Sequence, residues 1–145
     1  MSRFTLTPFK PHLVENDIEK QCLDLAQLRG YKPERLQAGR FYASSKPFRD
    51  AEGKFRAITI GYPGRPDYLL GHSEFPAFYL ETKRPGGKLS PQQAFTINGL
   101  VQGCHMAVCV TDDVYAFRDW LDAHEQKAHE RWRKNLSLEI QVRGP

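Results

Sequence analysis

The sequence predicts an α/β fold, a mixed β-sheet flanked by helices, and three features carry that prediction. A helical apolar stripe comes first, with Val14, Ile18, Cys22, Leu25 and Leu28 recurring up to Gly30. Short runs in which aromatic and β-branched residues alternate with polar ones follow it. A second helical stretch then leads into the apolar run 106–110 and a third helix. The 145 residues, 40% of them hydrophobic, suit a single domain spanning 1–145, with a core at about 13–121 and a helical extension and tail at 122–145.

Taken in order, residues 1–12 read as an irregular arm before the first helix, which Gly30 stops. Glu15, Asp17 and Glu19 suit the positive end of the helix dipole, and Glu15 also borders the apolar stripe, where a carboxylate would be available to a metal site. Strands are expected at 40–44 and 55–60, with the charged turn 47–53 between them facing solvent. Residues 61–66 then bend the chain before Asp67, because Pro63 and Pro66 remove backbone donors and the glycines permit unusual dihedrals. From 77 to 83 an apolar run passes into alternating polar residues, so Ala77, Tyr79, Glu81 and Lys83 share one strand face. Pro85, Gly86 and Gly87 break this strand.

Ser90, Pro91 and Gln93 next supply the N-cap, first and third positions of a capping box. Ala94, Ile97, Leu100 and Val101 form the buried side of that helix, and Gly103 ends it. Thr111 or Asp112 caps the third helix, whose stripe of Val114, Phe117, Leu121, Ala128 and Trp132 becomes highly charged after Asp122 and offers a surface to a partner or second subunit. Leu136, Leu138, Ile140 and Val142 alternate, as an edge strand or a dimer contact would.

The chemistry concentrates at Asp67, Glu81 and Lys83. Asp67 and Glu81 are equidistant from Glu74 in the turn-like stretch 71–76, so an antiparallel hairpin sets the two carboxylates opposite each other. At about 5 Å and an effective dielectric near 20 they repel by roughly 3 kcal/mol. A bound divalent cation reverses that sign. Oxygen ligands from Asp67 and Glu81, with the Thr82 backbone carbonyl and Glu15 through water, suit Mg²⁺ or Mn²⁺ rather than zinc. Lys83 beside them suits phosphodiester hydrolysis, either as a cation that offsets developing charge or as a general base. Gln93 lies a short loop from Lys83 and has two available roles, capping its own helix and joining the site.

The formal net charge of +4 favours a polyanionic partner, and the basic excess flanks this site. Arg40, Lys46, Arg49, Arg65, Arg84 and Lys88 are the candidate DNA contacts. Cys22, Cys104 and Cys109 lack metal-ribbon spacing and leave an odd number, which points to a reducing, cytoplasmic compartment. Residues 1–11 lack a signal-peptide core, and no apolar run is long enough to span a membrane. Gly86-Gly87-Lys88 lacks the full phosphate-loop spacing, the five histidines form no HExxH pair, and no Ser/His/Asp set is readable.

Pro66-Asp67 followed by Glu81-Thr82-Lys83 resembles the PD-(D/E)XK nuclease signature. The longer run from Gly64 to Asp67, together with Glu81 to Gln93, resembles the VRR-NUC family, and the likeness extends over about 13–121. The resemblance implies a restriction-endonuclease-like core and Mg²⁺- or Mn²⁺-dependent hydrolysis of DNA. It implies that Asp67 and Glu81 hold metal, that Lys83 serves the nucleophile and transition state, that Glu15 is the helix-borne acid, with Glu19 one turn further along as the alternative, and that Gln93 is the polar residue of the helix after the motif. Thr82-Lys83-Arg84 departs from the family's usual valine-containing sequence. Stand-alone members of this size resemble homodimeric nucleases that cut branched DNA such as four-way (Holliday) junctions. A flap or other DNA nuclease on the same site, and a nucleic-acid-binding module without catalysis, are the alternative expectations.

Overall fold

The computed structural model describes residues 13–36, 39–42, 57–60 and 63–142. Its elements run α1 (Glu15–Leu28), β1 (Lys32–Arg35), β2 (Gly39–Tyr42), β3 (Ala57–Ile60), β4 (Tyr68–Gly71), β5 (Phe78–Thr82), α2 (Pro91–Asn98), a π-helical turn (Gly99–Gly103), β6 (Ala107–Thr111) and α3 (Val114–Val142). Four strands form one mixed sheet in the order β1-β4-β5-β6, and β2 and β3 pair as a separate antiparallel ribbon. The first three sheet strands are antiparallel neighbours, whereas β6 runs parallel to β5 after the crossover through α2.

Alternation on β4 and β5 builds the core. Tyr68, Leu70, Phe78 and Leu80 point to one face, where they meet Ile18, Cys22 and Ala26 of α1 and Phe117 and Leu121 of α3. Burial of each large apolar side chain contributes about 2 kcal/mol. The first helix follows the expected stripe only in its middle: Ile18 and Cys22 are buried and Leu25 is half-buried, but Val14 and Leu28 are exposed and Ala26 is buried instead, while Asp17 Oδ2 accepts from the Val14 N–H at 3.0 Å.

Several elements depart from the sequence reading. The alternation at 136–142 is not a strand, because α3 continues through it for 29 residues in all. No glycine or proline interrupts that stretch before Gly144, and a helix satisfies its own backbone where a strand requires a neighbour. The cap of α3 is Asp113 rather than Thr111 or Asp112: Asp113 Oδ2 accepts from the Ala116 N–H at 3.0 Å. Of the four residues expected to form the buried side of the second helix only Ile97 is buried, while Ala94 and Val101 are exposed. That helix is short, and Gln93 near its start and Thr96 in its second half supply polar contacts beside the buried Ile97. The strand β1, with the sequence Lys-Pro-Glu-Arg, carries no apolar alternation; it is a sheet edge, where Pro33 is tolerated. The arm 1–12 and the turn 47–53 lie outside the described residues. Among the described residues no helix is long and apolar enough to cross a membrane.

Candidate active site

The register of the β4–β5 hairpin pairs Tyr68 with Leu80 and Leu70 with Phe78. Continued by one residue, it sets Asp67 opposite Glu81, as the sequence symmetry about Glu74 requires. The Asp67 N–H donates to Glu81 Oε2 at 3.2 Å. The same alternation that sends Leu80 and Thr82 into the core turns Glu81 to the other face, where its carboxylate is almost wholly buried at 1% exposure.

A buried carboxylate needs partners, and Glu81 has them. Lys83 Nζ lies 2.9 Å from Glu81 Oε1, and Gln93 Nε2 donates to the same oxygen at 2.7 Å. Gln93 is the junction of the site. Its Oε1 accepts from Lys83 Nζ at 3.0 Å and from the Ser90 N–H at 2.9 Å, while Ser90 Oγ accepts from the Gln93 N–H at 3.2 Å. Capping and site contact are therefore performed together by one amide. Gly64 permits this placement. Its φ is +79°, and a Cβ there would lie 2.5 Å from the Gln92 carbonyl oxygen and 2.8 Å from Thr96 Oγ1. The Thr96 hydroxyl donates to the Pro63 carbonyl at 2.8 Å, fastening α2 to this bend.

Lys83 is positioned from its other side by a tight turn. Pro85 and Gly86 occupy the central positions, Gly86 has φ +75°, and the Gly87 N–H donates to the Arg84 carbonyl at 2.7 Å, all features of a type II turn. The Gly86 N–H donates to Asp112 Oδ2 at 2.8 Å, which ties the turn to the end of β6.

Electrostatically the site is short of positive charge. Burial, then the charges of Glu81, Glu19 and Glu15, push the Asp67 carboxyl up to about 6, against the pull of Lys83. Both helix carboxylates thus act on Asp67, Glu19 more strongly than Glu15. Glu15 is exposed, whereas Glu19 is half-buried and accepts from the Tyr68 hydroxyl at 2.9 Å. The sequence nominated Glu15 and left Glu19 as the alternative, because both lie near the same stripe, one turn apart.

Thr82 is fully buried at the end of β5, between the two charged residues. Arg84 and Lys88 are exposed and Arg65 is half-buried beside the Gly64 bend. Lys46 and Arg49 lie outside the described residues, as does the side chain of Arg40. Burial pushes the thiols of Cys22 and Cys109 up to about 12, which removes them as nucleophiles.

Among the described residues no group of three or more His, Cys, Asp or Glu side chains is gathered so as to hold a metal ion. The anionic groups at the hairpin are nonetheless the carboxylates of Asp67 and Glu81, with no imidazole or thiolate in the hydrogen-bonded cluster. That chemistry fits a hard cation which completes its shell with water, and the raised Asp67 carboxyl marks a place where added positive charge is favourable. No family model, curated protein or solved structure matches the chain.

Proposed function

We propose that this chain is a metal-dependent DNA endonuclease of the VRR-NUC type with a restriction-endonuclease-like core, acting on branched DNA, four-way junctions included, as a homodimer. One observation carries the reading: the in-register Asp67–Glu81 pair, with Lys83 and Gln93 converging on Glu81 Oε1. The order of elements, a helix, three antiparallel sheet strands, a helix and a parallel strand, supports the core assignment.

Asp67, Glu81 and the Thr82 carbonyl would hold Mg²⁺ or Mn²⁺, with Glu15 or Glu19 reached through water. When bound, such an ion supplies Lewis-acid stabilisation of phosphoryl charge and a water nucleophile at neutral pH. The protein's own contribution is positioning. Lys83 is held by two oxygen acceptors at about 3 Å, so its ammonium stays at one place where it can offset the charge that builds on the phosphorane. This geometry favours electrostatic stabilisation over general-base catalysis for Lys83. Gln93 orients both Lys83 and Glu81 through opposite ends of one amide, and the α2 cap fixes the amide. The exposed Arg84 and Lys88 flank the site on the side of the type II turn, where a phosphate backbone would pass.

The test is cleavage of four-way junctions, flaps and linear duplexes with Mg²⁺ and with Mn²⁺, alongside solution mass. Folded Asp67→Ala and Lys83→Ala proteins are expected to lose at least 100-fold in junction cleavage, a loss typical of removing one preorganised group. Parent-like cleavage by either variant would falsify the mechanism, and equal cleavage of all three substrates would remove the branched-DNA specificity.

A further inference from the structure

Well away from the hairpin carboxylates, an open groove of about 760 Å³ lies between the starts of β5 and β6 and the middle of α3. Glu81 sits four residues along β5 from Ala77, about 13 Å at the rise of an extended strand. Met106, Ala107 and Trp120 give the groove an apolar floor, and Lys127 and Arg131 stand along its rim. No acidic side chain is among the residues that line it.

Three features show what this groove can hold. First, its cations are uncommitted: on α3, Asp119 is paired with Arg118, and Asp122 and Glu125 with Arg29, while among the described residues neither Lys127 nor Arg131 has an ion-pair partner. Their spacing of one helical turn places their Cβ atoms about 6 Å apart on one face of α3. Second, the floor is preformed. His124 Nε2 donates to the Pro76 carbonyl at 2.8 Å, and its ring stacks on Trp120 with centroids 5.0 Å apart and planes 11° apart. Third, His105 joins the lining, its left-handed backbone (φ +53°) ending the π-helical turn, where the Met106 N–H donates to the Leu100 carbonyl at 2.9 Å.

We propose that this groove binds a single nucleic-acid strand, with bases against the apolar floor and phosphates on Lys127 and Arg131. An apolar floor with a purely cationic rim complements a polymer whose faces are aromatic and whose edge is anionic. The volume falls in the range of small-ligand pockets, about 300–1,000 Å³, which accommodates a base or two rather than a protein element. The choice of nucleic acid as the polymer rests on the nuclease reading, but binding here needs neither metal nor cleavage.

The experiment measures anisotropy of a labelled oligothymidylate in EDTA at several salt concentrations, for the parent and for Lys127→Gln/Arg131→Gln. A 4-thiothymidine version of the oligonucleotide is photo-crosslinked and the attached peptide mapped. The double variant, checked for helicity by circular dichroism, is expected to bind about tenfold more weakly, with a log–log salt slope smaller by roughly 1.4, as loss of two single-strand phosphate contacts requires. Crosslinks are expected within 76–77, 101–108 or 120–131. Equal binding by parent and variant, crosslinks confined to 63–68 and 81–93, or no binding by the parent at low salt would each overturn the proposal. So would a parent dimer that the variant converts to monomer with oligonucleotide binding unchanged, since the groove would then hold a second copy. Junction cleavage measured in parallel separates the two ideas: cleavage without groove binding sinks the groove alone, and groove binding without cleavage sinks the nuclease reading alone.

Discussion

Replacing Gln93 by Glu exchanges a single amide nitrogen for oxygen at the junction of the site, so its effect isolates one contact. The new carboxylate can still accept from the Ser90 N–H and from Lys83 Nζ, which leaves the α2 cap in place. The lost interaction is the 2.7 Å donation to Glu81 Oε1, and a like charge takes its place. Two carboxylates with charge centres about 4 Å apart repel by roughly 4 kcal/mol at an effective dielectric of 20. Lys83 touches both and, with solvent reaching the Gln93 side, reduces the net cost to about 2 kcal/mol. For a chain of this size that corresponds to a fall in melting temperature of roughly 6 °C in EDTA at pH 8. The sign with pH follows from linkage. The penalty requires both carboxylates to be charged, so it is present at neutral and alkaline pH and fades as pH falls toward the ordinary glutamate value near 4. Mn²⁺ is expected to restore most of the lost stability, because a third carboxylate adds a favourable charge to the cation site. Differential scanning calorimetry at pH 8 and pH 5, with EDTA or Mn²⁺, reads all three effects. An unchanged melting temperature for Gln93→Glu at pH 8 in EDTA would refute the reasoning that Gln93 donates to a charged Glu81.

Two other outcomes follow from the same geometry. Because the Asp67 carboxyl is pushed up to about 6, its charged form opposes folding: the penalty is absent near pH 4 and fully present above about pH 6. Discounted for partial exposure, it amounts to about 1–2 kcal/mol. In EDTA, the stability difference between Asp67→Asn and the parent, read from urea midpoints, should therefore grow by about two-thirds of that amount between pH 4.5 and 7.5; a flat difference contradicts the raised carboxyl. Gly64→Ala places a methyl group against the Gln92 carbonyl in a left-handed backbone, so it should cost at least about 2 kcal/mol and displace Gln93. Urea unfolding and junction cleavage should fall together, and a variant with parent-like values in both would show that α2 does not depend on the close approach at Gly64.

The central pair was legible in the sequence because its determinants are local. Asp67 and Glu81 stand symmetrically about one turn, and a hairpin converts that symmetry directly into register. The capping box of Ser90 and Gln93 is likewise a short-range pattern, and the structure realises both halves of it. The α/β class followed from helical and alternating periods of the same short range. What the tertiary structure decided depends on partners distant in sequence. The polar segment 32–35 becomes a strand only because β4 offers it an edge, and the alternating tail becomes helix because α3 continues with no strand beside it among the described residues. The greater influence of Glu19 over Glu15 on Asp67 was equally hidden, since it depends on how α1 rotates against Tyr68. The cationic groove has the same origin, because it joins the starts of β5 and β6 to the middle of α3. Periodicity states which face of an element is apolar; only packing determines which other element that face, and the charges beside it, will meet.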